Sequence, residues 1–371
     1  EEKIRIKGRS LPVQVIYLML PAAYFIAGIL PILFWNRRTR VSSNIYLLGW
    51  LSWFCAVSVK FFIATIQNLN WPIFYTNIPL MVINTTILEA IEVLSAFLFL
   101  KYHPALKEAR DWKSIVGFGL GFGCGEAITL GVIFLSSISI PFSLEFMVGG
   151  VLLSGFVERL SAIAIHLSSA CFLALFIVNS KKSYFIMGLL SKILSATMAA
   201  IFQVASLPWG LLPSIAFMEI AFAVYAIFWI LILLYVRKKE EIAEELSPEQ
   251  VVKIDRLNVL ILSVIFFFFM YVWSIILKPL LTLPPFLHIL SQVGLFFLVT
   301  IIIYPLLGKY RNASATEVAV GGAIALTLYT GAQNIIMSLQ PNAGFLTIAM
   351  FPFFGIICAT GVYRLLIPTR D

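Results

Sequence analysis

Residues 114–139 read SIVGFGLGFGCGEAITLGVIFLSSIS, and the reading of this stretch decides the fold. It is apolar over enough residues to cross the ~30 Å hydrocarbon core of a bilayer at a helical rise of about 1.5 Å per residue. Glycine recurs at every second position from Gly117 to Gly125, and a carboxylate, Glu126, follows near the middle. Gly117, Gly121 and Gly125 share one helix face, and Gly119 and Gly123 lie on another. Small residues at four-residue spacing let helices approach closely, so the first three are read as helix-packing positions. A charge at the depth of Glu126 costs roughly 2.5–3.5 kcal/mol on insertion scales and needs a partner or a task.

The rest of the chain repeats the pattern. Of 371 residues, 61% are hydrophobic and 12% charged, with a mean hydropathy of +0.98. A soluble globule carries about 25% charged residues, so this composition excludes that class. Apolar runs predict an all-α, polytopic transmembrane bundle of about eleven spans: 12–35, 43–66, 79–100, 114–139, 155–178, 184–205, 211–236, 257–278, 285–305, 317–338 and 344–366. The net charge of +8 lies in short loops rather than in a basic stripe with interleaved aromatics, which argues against nucleic acid and for a lipid bilayer partner. Cys55, Cys124, Cys171 and Cys358 all fall in apolar runs without CxxC spacing, which argues against a disulfide framework and a zinc knuckle.

Arg37, Arg38, Arg40, Lys101, Lys113, Lys181, Lys182, Arg237, Lys238 and Lys239 follow odd-numbered spans. The positive-inside rule then sets the N-terminus outside and the C-terminus in the cytoplasm of a multi-pass cell-membrane protein. Lys3, Arg5, Lys7 and Arg9 on the N-terminal tail run against that rule. The charged segment around RKKEEIAEELSPEQ separates seven spans from four. The expected organisation is a seven-span bundle over 1–238, a cytoplasmic linker over 239–256 and a four-span bundle over 257–371.

Chemistry-bearing residues gather in the first bundle. Glu89 and Glu92, three apart on one helix face, have β-carbons about 5–6 Å apart. Two carboxylates so close in hydrocarbon cannot both ionise cheaply; one keeps a proton or both share a cation. They read either as a general base beside a metal ligand or as packing hydrogen bonds. His166 near mid-membrane reads either as a ligand or as a packing residue. Glu126 and Cys124 stand about 200° apart around their helix and are poorly set to hold one ion. Glu158 and Arg159 can snorkel or pair, and Lys192 needs a partner such as Glu89, Glu92 or Glu219.

The order ILEAIE, GFGCGEAI and VERLSAIAIHLSSA on three consecutive spans resembles the YhfC-type membrane peptidases, relatives of the CAAX prenyl protease and bacteriocin-processing superfamily. The resemblance covers about residues 40–200. It implies an intramembrane metallopeptidase core in which paired glutamates, an arginine and several histidines surround a metal-activated water. On that pattern Glu89, Cys124 and His166 would be the metal ligands, and Glu89, Glu92 and Glu126 the catalytic carboxylates. The chain departs from the pattern at several positions: Leu88 precedes Glu89, Glu92 takes the arginine position, Cys124 replaces a histidine, and Lys192 replaces another. An ammonium where a cation should sit opposes zinc.

The expectation is therefore a catalytically degenerate scaffold, with Lys192 ion-paired to Glu89 or Glu92 and no cofactor. It would act as a membrane-embedded binding or accessory subunit that holds transmembrane helices of another membrane protein. The alternatives are an active metallopeptidase with zinc, or a small-solute or proton-coupled transporter.

Overall fold

The computed structural model describes residues 3–6, 9–12, 19–70, 77–108, 111–134, 156–205, 211–240, 254–280, 285–311, 313–337, 352–353 and 355–362. Two short antiparallel strands, β1 (Lys3–Ile6) and β2 (Arg9–Pro12), precede the helices. The helices are α1 (Met19–Thr39), α2 (Ser43–Asn70), α3 (Ile78–Tyr102), α4 (Pro104–Glu108), α5 (Trp112–Phe134) and α6 (Glu158–Asn179). They continue with α7 (Lys182–Ala205), α8 (Leu211–Glu240), α9 (Arg256–Leu280), α10 (Pro285–Arg311) and α11 (Ala315–Met337). Within their described residues, α2, α3, α5, α6, α7, α8 and α10 are long and apolar enough to cross a membrane. The apolar described parts of α9, Arg256–Val272, and of α11, Ala315–Tyr329, are shorter. The chain is a helical protein of multi-pass membrane character.

The expected first span, 12–35, begins on the hairpin, since Pro12 ends β2, and its residues 13–18 lie outside the described residues. Residues 3–7 alternate basic and apolar side chains (Lys-Ile-Arg-Ile-Lys), a period of two that suits a strand. That alternation extends into the hairpin, and α1 begins at Met19. Of the expected eleventh span, 344–366, only 352–353 and 355–362 lie among the described residues.

The chain forms two compact units. One comprises Glu1–Trp53 and Ile73–Val251, the other Phe54–Pro72 and Val252–Asp371. The division differs from the expected one in assigning residues 54–72 of the α2 region to the second unit.

In the first unit α5 is the central helix, with 78% of its most apolar window buried against 28% for α3 and for α8. Its glycines allow this. A methyl group on Gly121 would stand 2.1 Å from the Tyr46 carbonyl oxygen, and one on Gly125 2.2 Å from Trp50 Cδ1. On the other face, a methyl on Gly123 would come within 2.9 Å of Ile163 Cα. Thus one glycine face admits α2 and the other admits α6. Trp50 Nε1 donates to Thr129 Oγ1 at 3.0 Å across the first contact. At the start of α5, Asp111 caps the helix by accepting from the Ser114 amide at 2.9 Å, and Trp35 of α1 donates to the Lys113 carbonyl.

The helices around α5 bury narrow stripes. In α3 the buried face is Glu89, Glu92, Val93, Ala96 and Leu100, while Ile83, Ile87, Leu94 and Leu98 are exposed. In α8 the buried stripe is Glu219, Phe222, Ala226, Trp229, Leu233 and Val236, at helical spacing. Each stripe thus carries carboxylates into a largely apolar interior, and those carboxylates define the site.

Candidate functional site

Four helices bring their charges together at the centre of the first unit. Glu89 and Glu92 come from α3, Glu126 from α5, Glu158, Arg159 and His166 from α6, and Lys192 from α7. Lys192 lies on the buried stripe of α7 with Ser191 and Ser195, whereas Ile186, Leu190 and Leu194 are exposed. Its ammonium is 3.0 Å from Glu89 Oε2 and 2.8 Å from Glu92 Oε2. It is also 3.3 Å from each ring nitrogen of His166. Both carboxylates, the imidazole and the lysine are each at least nine-tenths buried.

His166 joins this group to a second one. Its Nε2 is 2.6 Å from Glu126 Oε2, while its Nδ1 lies 3.9 Å from Glu92 Oε2. The ring packs against Phe122 at 5.0 Å between centroids, which fixes its position beside α5. The other oxygen of Glu126 accepts from Arg159 Nη1 at 2.9 Å. Arg159 also pairs with Glu158 and lies over the Tyr24 ring of α1. The result is a continuous row from Glu158 and Arg159 at the start of α6, through Glu126 and His166, to Lys192, Glu92 and Glu89. Along α6, Glu158 to His166 is eight residues, or about 12 Å of helix.

A small cavity adjoins the row, lined by Glu92, Val93, Ala96, Phe122, His166 and Lys192 among others. It has about 10 Å³ of water-accessible space, close to what one water molecule needs. The row can therefore hold protons and a water. Its two cations, Arg159 and Lys192, are each faced by two carboxylates, so they balance half of the row's four acids.

The residues do not fit a catalytic zinc. Zinc needs three good ligands and an open position. Cys124 is fully buried on a different face of α5 from Glu126, in polar contact with the Ile32 backbone of α1. It does not join Glu89 and His166, because its two-residue offset from Glu126 turns it away from α6. Among the described residues, no three His, Cys, Asp or Glu side chains stand where they could hold one metal ion. The ammonium of Lys192 lies between the two carboxylates of α3, which are the donors a metal would need.

Glu219, a candidate partner for Lys192 on sequence grounds, does not serve as one. It is fully buried on α8, and neither of its oxygens has a hydrogen-bond partner among the described residues. Sequence reading also misses how Arg159 engages. It allows Arg159 to snorkel or to pair locally, but the guanidinium reaches 33 positions back in sequence to Glu126. The signal was present: α5 and α6 are consecutive long helices, so the end of one lies near the start of the next.

Neither the family models, the curated proteins nor the solved structures give a match to this chain. The reading of the site therefore rests on its own geometry.

Proposed function

We propose that this is a multi-pass cell-membrane protein whose N-terminal unit is a metal-free, ion-paired relative of an intramembrane peptidase core, acting as a membrane-embedded binding or accessory subunit. The observation that carries the reading is the position of Lys192. Its ammonium lies within 2.8–3.3 Å of Glu89, Glu92 and His166, where a peptidase would hold its metal and activate water. The ammonium occupies the donors that a metal would need, so no metal is left to activate a hydrolytic water. The partner is a transmembrane helix of another membrane protein. The outward stripe of α3 (Ile83, Ile87, Leu94, Leu98) offers apolar contact to lipid or to a second apolar helix.

The eleven-span topology, N-terminus outside and C-terminus cytoplasmic, belongs to the same proposal. In its favour, basic residues of separate loops meet at one end of the unit. Trp35 contacts Lys113, Arg237 lies over the Trp112 ring, and Lys181 pairs with Glu240. One face collecting this much positive charge fits the cytoplasmic side.

Elemental analysis of the purified protein, with His166→Ala as control, tests the metal-free reading. The expected result is no stoichiometric metal in either protein. About one zinc per chain, lost in His166→Ala, would overturn it and favour an active peptidase with Glu126 or Glu92 as base.

A further inference from the structure

Glu219 is a buried carboxylate of the first unit that lies outside the ion-paired row. It is 0% exposed, in a stripe whose other members are Phe222, Ala226, Trp229, Leu233 and Val236. Ile165 of α6 packs with Phe222 and Ala226, and Met198 and Ala199 of α7 border that cluster. At the far end of α8, Tyr184 of α7 donates to Glu240; the charged groups of α6 and α7 nearer the middle of the unit are Glu158, Arg159, His166 and Lys192.

Each cation among these is already shared. Lys192 faces Glu89 and Glu92, while Arg159 faces Glu126 and Glu158. His166 is held against Glu126. No described cation is left for Glu219, and neither carboxyl oxygen has a hydrogen-bond partner among the described residues. A buried carboxylate without a counter-charge is so costly that the group takes up a proton instead.

We propose that Glu219 is an intramembrane proton-binding site, held as the neutral carboxylic acid while Arg159 is committed to Glu126 and Glu158. Arg159 stays paired with Glu126 and Glu158 in this state. The proton moves between the Glu219 carboxyl oxygen and water, and no other group changes its covalent state. The inference goes beyond the accessory-subunit reading and holds whatever partner the protein binds.

Infrared spectroscopy of the full-length protein in lipid nanodiscs at neutral pH tests it. The expected result is a C=O stretching band of a protonated carboxylic acid that shifts down in D₂O. Glu219→Gln, nearly isosteric, removes that band component, and Glu158→Gln keeps it. Glu219→Leu serves as a second variant, with the same loss expected. A wild-type spectrum without such a band, or a band unchanged in both Glu219 variants, overturns the proposal. Disappearance of the band on adding sodium ions also overturns it, in favour of a metal-cation site.

Discussion

The two units each bury a carboxylate, but they satisfy it in opposite ways. In the second unit Glu317 stands at the start of α11, 4% exposed. It accepts from the Asp255 amide at 2.7 Å, from Asn258 Nδ2 at 2.9 Å and from the Ser314 amide at 3.0 Å. Ser314 returns the contact by accepting from the Glu317 amide, which completes a capping box. A helix start has free N–H groups, so backbone donors can neutralise a carboxylate there. Glu89, Glu92 and Glu126 lie inside helices, where every amide is already bonded. Side chains from other helices must supply the positive charge, and Lys192 and Arg159 do so. A buried acid at a helix start can thus be met by backbone donors, whereas one inside a helix needs a cation or a proton.

The contrast predicts that the largest effect comes from removing a cation. Lys192→Met leaves Glu89 and Glu92 facing each other, and breaking such a buried arrangement costs about 3–5 kcal/mol. A steep fall in thermal stability in detergent, or failure to accumulate, is the expected outcome. Next is the packing that brings the charges together. Gly121→Leu forces a side chain into the Tyr46 backbone and should cost at least about 1–3 kcal/mol, read as a lower unfolding temperature. A smaller effect is expected where backbone groups do the work. Ser314→Ala removes the N-cap acceptor of α11 and should cost about 0.5–2 kcal/mol, read in the same melt. The smallest belongs to a single neutral hydrogen bond. Trp50→Phe loses the bond to Thr129 and should shift stability by about 0.6 kcal/mol, near the limit of a thermal melt.

Much of this architecture is readable from the chain. The 20-residue apolar runs indicate membrane helices, and the two glycine faces of α5 mark it as the helix others approach most closely. The three-residue spacing of Glu89 and Glu92 implies a shared proton or cation. Which cation goes to which acid is not readable. Lys192, Glu219 and Arg159 each lie on a buried helical stripe, and the pairing depends on helix rotation and offset, which neighbouring helices set. The hairpin at residues 3–12 is a different case. Its alternating basic and apolar residues are a strand signal, but the hydrophobic run that follows reads as one long span and hides it.

The account turns on Lys192 being the internal cation of the α3 carboxylates. A stability cycle with Lys192→Met, the Glu89→Gln/Glu92→Gln pair and the triple variant tests this most directly. The account expects the triple variant to recover most of the stability that Lys192→Met loses, because no bare carboxylate remains. A Lys192→Met protein as stable as wild type, or a triple variant no better than Lys192→Met, would contradict it.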